Sequence, residues 1–224
     1  MKKHIPNFLT SCNILVGAYG CSVVAQAPTM AIYFVIIAAF FDFADGLSAR
    51  LLNAQSEFGK QLDSLADLVS FGLLPAMAIF SFITKTDYPS YFMLIPLLVV
   101  PFSALRLARF NLSSSSNEFQ GLPTPANALL LTAFLINAQD FVTPIFLIAL
   151  SLASCFLLVS NIRMIALKFS SLTWKGNELK FILVLAVITE AIVLKWSVAP
   201  FIIPTYILIS IIGFLIVKPV QAYR

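Results

Sequence analysis

Charged residues are scarce in this chain. Only 11% of its 224 residues are Asp, Glu, Lys or Arg, whereas 60% are hydrophobic. A soluble domain carries about 25% charged residues, so the composition excludes an ordinary soluble enzyme. The sequence also has no long polar segment that could form a second, soluble domain. We therefore expect a single all-α membrane domain over residues 1–224, a polytopic transmembrane bundle of about eight helices.

Histidine and cysteine are rare as well, and each shortage excludes a class of site. The chain has one histidine, His4, near its start. A serine nucleophile of the Ser-His-Asp type needs a histidine base beside it, so that chemistry is not expected. The three cysteines, Cys12, Cys21 and Cys155, lie in apolar stretches without C-x-x-C spacing. Neither a structural disulfide nor a cysteine metal site is predicted.

Long apolar windows recur along the whole chain and predict eight helices. The windows are 8–26, 30–52, 59–84, 91–112, 124–138, 142–162, 179–196 and 199–217. With the amino terminus placed in the cytoplasm, only Lys85 and Lys195 of the 14 Lys and Arg residues fall outside. The positive-inside rule then predicts that both termini are cytoplasmic. The net charge of +4 reflects these loop cations, so no nucleic-acid partner is expected.

Acidic residues are few, yet four of the ten lie between positions 42 and 67. Asp42 and Asp45 are three residues apart, and Asp63 and Asp67 are four apart, so on helices each pair shares one face. Clustered carboxylates suit hard divalent cations such as Mg²⁺, Mn²⁺ or Ca²⁺, and without cations they would repel one another. The small residue Gly46 on the same face would let an oxygen-rich group approach. The pattern predicts a metal-dependent site for a phosphate-bearing substrate.

Acids in this region could instead belong to a solvated surface or to an ion pathway. Solvated acids on amphipathic surface helices are disfavoured, because Asp42 follows, and Asp67 precedes, a strongly apolar stretch. Ionisable groups inside such segments are functional by default. A cation or proton transporter is an alternative of a different class, since intramembrane acids also build ion pathways. Against it, the acids lie at one membrane end, and the first, fourth, sixth and eighth predicted helices contain none.

The motif D-F-A-D-G-L-S-A-R, followed after eight residues by G-K-Q-L-D-S-L-A-D, resembles the signature of the CDP-alcohol phosphotransferases. The matching positions are Asp42, Asp45, Gly46, Ala49, Arg50, Gly59, Asp63 and Asp67. The flanking stretches F-G-K-Q-L-D-S-L-A-D-L-V-S-F-G, R-L-A-R-F-N and F-Q-G-L-P-T-P-A are similar to the integral-membrane CDP-diacylglycerol–serine O-phosphatidyltransferases, as is the opening P-N-F-L-T-S-C-N. The resemblance covers roughly the first 130 residues.

This resemblance implies a reaction and a set of residue roles. The phosphatidyl group of CDP-diacylglycerol would pass to the hydroxyl of L-serine, forming phosphatidylserine and releasing CMP. Four aspartates, Asp42, Asp45, Asp63 and Asp67, would hold Mg²⁺ or Mn²⁺, as two ions per site, and Asp67 would also accept the serine proton. The expected CDP-binding residues are Asn7, Asn13, Gly46, Ala49, Arg50, Ser56 and Gly59. For Asn7 and Asn13, ordinary helix capping and interfacial polarity are equally open interpretations.

The resemblance also implies an organisation and a set of partners. The motif-bearing core would span about 1–165 and an extra helical hairpin about 178–217, in a homodimer within the cell membrane. The active site would face the cytoplasm, with membrane lipids around the protein. Glycerol 3-phosphate or inositol phosphate are alternative acceptors for the same chemistry. Each of these carries a phosphate that would call for additional cationic residues.

Arg106, Arg109 and Glu190 are charged residues whose roles stay open. The two arginines are three residues apart and share a helical face. They either snorkel to the membrane surface or bind a substrate anion, the serine carboxylate or the phosphatidyl phosphate. Glu190 lies within the seventh predicted helix, where it either packs against another helix or belongs to a dimer interface. The polar stretch 111–125 is either a simple turn or a loop over the mouth of the site.

Overall fold

Helices make up most of the part of the chain that the computed structural model describes, residues 4–112, 119–136, 142–165, 177–194 and 199–216. The helices are α1 (Ile5–Val24), α2 (Ala31–Leu51), α3 (Glu57–Asp67), α4 (Leu74–Ile83), α5 (Val99–Leu112), α6 (Thr124–Ile136), α7 (Pro144–Val159), α8 (Glu178–Leu194) and α9 (Ala199–Ile216). Turns of 3₁₀ helix cover Pro28–Met30 and Ser90–Leu98, and a π-helical segment covers Leu68–Leu73. Two short strands, β1 (Phe119–Gln120) and β2 (Arg163–Met164), pair antiparallel.

All eight predicted windows contain helix, so the predicted all-α membrane fold is confirmed. Among the described residues, four helical segments are long and apolar enough to cross a bilayer: Ile5–Val24, Pro28–Leu51, Glu57–Ile83 and Tyr91–Leu112. Many large apolar side chains on the helices are exposed, among them Phe8, Leu15 and Phe40. An exposed apolar surface of this kind belongs against lipid. The chain is a multi-pass membrane protein.

The third predicted helix is not a uniform α-helix, because it widens into the π-helical segment Leu68–Leu73 between α3 and α4. The amide of Leu74 donates to the carbonyl of Val69, five residues back. Pro75 follows directly, and a proline ring crowds the carbonyl one turn before it in an α-helix. The wider turn makes room for that ring. Such π turns are rare and often occur at functional sites.

The fourth predicted window also differs from a single α-helix, since its first half, Ser90–Leu98, is 3₁₀ helix. Pro96 lies inside this stretch and Pro101 in the first turn of α5. Each proline removes an amide donor from the ladder of hydrogen bonds. The α-helical part, α5, therefore begins only at Val99 and carries the R-L-A-R-F-N motif at its cytosol-directed end in the predicted orientation.

Close packing between α1 and the π-helical segment holds the amino-terminal half together. A Cβ on Gly17 would lie 2.3 Å from Oγ of Ser70 and 2.9 Å from its Cα, so only glycine fits there. The hydroxyl of Ser70 donates to the carbonyl of Asn13 at 3.0 Å. On the next turn, Gly20 contacts Phe34 and Leu74. Helix α1 thus lies against α2, the π-helical segment and the start of α4.

Two apolar clusters form the interior of the described chain. The larger one contains Val35, Phe71, Ile79, Leu131 and Leu147 and joins α2, α4, α6 and α7 around the π-helical segment. The smaller cluster packs α8 and α9 against α6 and β2. The hairpin of α8 and α9 is therefore attached to the side of the core that carries α6. The expected boundary between a core and an extra hairpin stays a prediction.

A tight turn at Gly121 anchors the segment that leads into α6. Its φ is +73°, and a Cβ there would lie 2.7 Å from the carbonyl oxygen of Leu158. The amide of Gly121 donates to the carbonyl of Ile162 at 2.9 Å, beside the pairing of β1 with β2. Part of the predicted mouth loop, residues 113–118, lies outside the described residues. Its covering role stays a prediction.

Candidate active site

Three aspartates from α2 and α3 meet at one place. One carboxylate oxygen from each of Asp42, Asp63 and Asp67 lies within 4.8 Å of the other two. Asp45, on the next turn of α2, is buried with 6% of its surface exposed. Its Oδ2 accepts a hydrogen bond of 2.6 Å from the hydroxyl of Thr10 on α1. The structure therefore brings the two halves of the motif together and adds Thr10, whose hydrogen bond to Asp45 the sequence spacing does not show.

The hydrogen-bonding of these carboxylates fits a bound cation. Oδ1 of Asp63 and Oδ1 of Asp67 are both buried without a hydrogen-bond partner among the described residues. Buried polar atoms are normally paired, and three carboxylates this close repel one another. A divalent cation with oxygen ligands satisfies the free oxygens and offsets the repulsion. The residues present thus fit a metal such as Mg²⁺ or Mn²⁺.

A short turn with a capped helix start brings the two halves of the motif face to face. Asn53, after α2, adopts a positive φ of 48°, which lets the chain reverse. Ser56 then caps α3, and its Oγ accepts the amide of Gly59 at 3.0 Å. A Cβ on Gly59 would come within 3.3 Å of Oδ1 of Asn7, so glycine lets α1 approach this helix start.

A cavity of about 690 Å³ lies beside the aspartates, within the range of ligand pockets. Its lining consists of Pro6, Asn7, Thr10, Asp45, Gly46, Ala49, Arg50, Ala54, Gln55, Ser56, Glu57, Gly59, Lys60 and Asp63. Every residue predicted to bind CDP is included except Asn13. A Cβ on Gly46 would meet nothing within 4 Å, so this wall is open. Asp63 belongs both to this lining and to the aspartate group, so the cavity and the aspartates form one site.

Residues 3–174 match the model of the CDP-alcohol phosphatidyltransferase family. The chain belongs to this family. Among curated proteins, it is 33% identical to the "CDP-diacylglycerol--serine O-phosphatidyltransferase" of Helicobacter pylori strain 26695, over 95% of this chain and 92% of the relative. Proteins with the same name in Bacillus subtilis and Methanocaldococcus jannaschii are 34% and 38% identical, over 68% and 60% of this chain and 87% and 62% of theirs.

The family's phosphate-bearing substrates need cations, and the cavity supplies two. The Nε of Arg50 donates to the carbonyl of Gly46 at 3.0 Å, which holds the guanidinium along the cavity wall. Lys60 donates to the carbonyl of Asn111 at 3.0 Å, and the amide of Asn111 donates to Ser64 at 2.8 Å. Sequence reasoning missed Lys60 as a site residue, although its place four residues after the helix cap Ser56, three before Asp63, was a usable signal.

The two predicted substrate arginines are separated in the structure. Arg106 is half-buried, donates to the hydroxyl of Thr124 at 2.8 Å, and lies close enough to Asp67 for their charges to interact. Arg109 is exposed and donates to the carbonyl of Val159 at 3.2 Å. Only Arg106 therefore lies beside the aspartate group. Arg109 ties the end of α5 to the end of α7.

Asn13 and Glu190 both lie outside the cavity lining. Asn13 is fully buried, and both of its side-chain amide atoms lack partners among the described residues. Glu190 accepts a hydrogen bond from the hydroxyl of Thr205, so it faces α9. Of the two interpretations of Glu190, packing against a neighbouring helix is the one that the contacts support.

The substitution Asp63→Asn should stabilise the protein when divalent cations are absent and make it less stable than the wild type when they are present. Without divalent cations, Asp63→Asn removes repulsion and should raise the free energy of unfolding by on the order of 1 kcal/mol. With Mg²⁺ or Mn²⁺ at ~100 times Kd, the wild-type protein should gain about 2.7 kcal/mol, and the variant far less. Thermal unfolding in detergent with and without EDTA measures both, beside Asp87→Asn, an exposed acid, as control. A variant that responds to metal like the wild type contradicts this site.

Proposed function

We propose that this protein transfers the phosphatidyl group of CDP-diacylglycerol to L-serine, producing phosphatidylserine and CMP. The observation that carries the proposal is the shared position of Asp63, in the aspartate group and in the wall of the 690 Å³ cavity. A nucleotide in that cavity would have its phosphates beside the aspartates. The printed name of the relatives supports serine as the acceptor.

The cavity walls suit the CDP part of the substrate. Gly46, Ala49 and Gly59 leave room for a nucleotide, because they carry little or no side chain. Arg50 and Lys60 place positive charge along the wall, and guanidinium and ammonium groups bind phosphate oxygens through charge-assisted hydrogen bonds. The diacylglycerol part can remain in the bilayer beside the exposed apolar helix faces. The lipid substrate therefore reaches the site from within the membrane.

The metal that the aspartates would hold is Mg²⁺ or Mn²⁺. Asp42, Asp63 and Asp67 supply the nearest oxygens, with Asp45 beside them, so two ions per site are part of the proposal. When bound, such a metal neutralises charge on the pyrophosphate and on the leaving CMP. The hydrogen bond from Thr10 fixes the orientation of Asp45 toward the cavity.

In the proposed reaction, the serine hydroxyl oxygen forms a bond to the phosphorus of the phosphatidyl group. The bond between that phosphorus and the oxygen bridging to CMP breaks, and CMP leaves with the bond electrons. The serine proton passes to Asp67, the last aspartate of the motif, which has Arg106 close enough for their charges to interact. A carboxylate is a weak base for an alcohol, so this transfer is coupled to attack. Arg106, close to Asp67, provides a cation for the carboxylate of the incoming serine.

Acceptors that carry their own phosphate fit this arrangement less well. Glycerol 3-phosphate or inositol phosphate would need several cations near Asp67, in addition to those for CDP. Among the described residues, Arg106 is the guanidinium beside Asp67, and Arg109 is bound to Val159. A zwitterionic acceptor needs one cation for its carboxylate. The family membership and the nucleotide-sized cavity also disfavour the transporter alternative.

Incubation of the purified protein with CDP-diacylglycerol tests this function directly. With Mg²⁺ or Mn²⁺ present, we expect CMP release and phosphatidylserine with L-serine, and at least ten-fold less product with glycerol 3-phosphate or inositol phosphate. EDTA should abolish the reaction, and readdition of the metal should restore it, because the carboxylates alone cannot neutralise a pyrophosphate. Full activity in EDTA, or preference for another acceptor, would refute the proposal.

Asp67→Asn should separate proton acceptance from substrate binding. The amide keeps the shape of the side chain but is not basic, so CDP-diacylglycerol binding should weaken less than in Asp42→Asn, while single-turnover rates at saturating metal and substrate fall by about 10²–10⁴-fold. Asp42→Asn should instead weaken metal and nucleotide binding together. Nucleotide affinity at several metal concentrations, measured beside the single-turnover rate, distinguishes the two effects. Near wild-type turnover in Asp67→Asn would exclude this residue as the base.

The proposed orientation places both termini and the active site in the cytoplasm, where cytosolic serine is available. The distribution of Lys and Arg supports it. Single cysteines introduced at Asn161 and Asp87, both exposed, in a variant lacking the three native cysteines should report the two sides. Asn161→Cys should react with an impermeant reagent only from the cytoplasmic side, and Asp87→Cys only from the other. The reverse pattern would invert the orientation. The proposed homodimer stays a prediction.

A further inference from the structure

A second set of buried polar side chains lies one helical turn deeper than the aspartates. The set, called the deep polar layer here, consists of Asn13, Ser70, Ser103 and Asn127, each with no exposed surface. They come from α1, the π-helical segment, α5 and α6. Each of these residues lies three positions along the chain from a residue at the depth of the aspartates; those residues are Thr10, Asp67, Arg106 and Thr124. Polar residues at this depth are expensive and call for a function.

Contacts connect the deep polar layer to the side of Asp67 that faces Arg106. Arg106 interacts with Asp67 and donates to Thr124, which joins α5 to α6 at the aspartate level. Three residues deeper on α5, Ser103 lies against Gly72, where a Cβ would be 3.2 Å from its Cβ and 3.4 Å from its Oγ. Three residues deeper on α6 is Asn127, on the same face as Thr124. Asn127 therefore lies one turn along α6 from the residue that holds Arg106.

The side chain of Asn127 has unused hydrogen-bonding capacity. Its Oδ1 and Nδ2 are buried without a partner among the described residues, and so is Oγ of Ser103. Buried amides and hydroxyls are normally paired with protein, water or ligand. An amide offers an acceptor and two donors, and a hydroxyl offers both. A ligand that is itself donor and acceptor would satisfy both side chains.

We propose that Arg106, Asn127 and Ser103 bind the amino-acid part of the acceptor and so select serine. Arg106 takes the carboxylate, Oδ1 of Asn127 accepts from the ammonium, and Ser103 completes the wall. The hydroxyl is then directed at Asp67, on the side away from the nucleotide cavity. This inference rests on the proposed function and assigns to Asn127 and Ser103 a role in acceptor specificity.

Charge and geometry favour an amino acid over a neutral alcohol here. A guanidinium binds a carboxylate through two parallel hydrogen bonds, and Arg106 is held in place by Thr124. An ammonium needs acceptors, which an amide oxygen supplies at a depth where water is scarce. A site built to bind two polar groups discriminates strongly against an analogue that lacks one of them, because its own buried groups are left unpaired.

Asn127→Ala, measured against two matched controls, tests the assignment. We expect the KM for serine to rise about ten-fold or more, since one hydrogen bond to a charged group is lost. The KM for CDP-diacylglycerol should change by less than about two-fold. Ser103→Ala should shift the serine KM in the same direction, by a smaller factor. Controls are Ser154→Ala, a fully buried hydroxyl also without a described partner, and Thr132→Val on α6.

Two serine analogues test the same assignment in the wild-type protein, whether or not the variants fold. Ethanolamine lacks the carboxylate, and 3-hydroxypropanoate lacks the ammonium. As an inhibitor of serine transfer, each analogue should bind at least about ten-fold more weakly than serine itself. In Asn127→Ala, discrimination against 3-hydroxypropanoate should largely disappear, whereas discrimination against ethanolamine should persist through Arg106.

The outcomes separate this inference from the proposed function. A wild-type protein that transfers nothing to serine refutes the function itself. If the wild type uses serine but binds 3-hydroxypropanoate as tightly as serine, the ammonium is not recognised and the inference fails. An unchanged serine KM in folded Asn127→Ala, or an equal rise in Ser154→Ala, also overturns it.

Discussion

Repulsion among buried carboxylates is the constraint around which this protein is arranged. Oxygens of Asp42, Asp63 and Asp67 lie within 4.8 Å of one another, in a bundle otherwise built largely of apolar side chains. Nothing in such a group favours its own assembly, so packing elsewhere must hold α2 and α3 together. The turn at Asn53 and the cap at Ser56 direct the chain back, and a bound divalent cation would offset the repulsion.

The first helix supports this arrangement from outside the motif. Thr10 donates to Asp45 at one level, and Gly17 lets α1 touch Ser70 at a deeper level. Both contacts depend on short side chains, which permit close approach of helix backbones within a membrane. The π-helical segment, widened ahead of Pro75, places Ser70 and Gly72 where α1 and α5 can reach them. The amino-terminal helix is thus part of the active-site scaffold.

The site has two sides that meet at the aspartates. On one side, the cavity with Arg50 and Lys60 suits a nucleotide and its phosphates. On the other, Arg106 of α5 is hydrogen-bonded to Thr124 of α6 and lies near Asp67, which is where we propose that serine binds. Donor and acceptor positions on different sides of the aspartates would fit a direct transfer in which the attacking hydroxyl and the leaving CMP occupy opposite sides of the phosphorus.

The amino-acid sequence by itself determined the membrane class, the eight helical windows and the helical faces that the four aspartates share. These features follow from two local properties, the length of apolar runs and the spacing of residues along a helix. Neither property depends on which other segments pack nearby. The resemblance of its motif to a known family also indicated cavity residues near the aspartates, namely Gly46, Ala49, Arg50, Ser56 and Gly59. Only the tertiary structure decided which partners come from distant segments: Thr10 for Asp45, Thr124 for Arg106, and Asn111 for Lys60. It likewise separated Arg106 from Arg109 and placed Asn13 in the interior, since helical spacing gives a shared face but not the neighbour that each side chain meets.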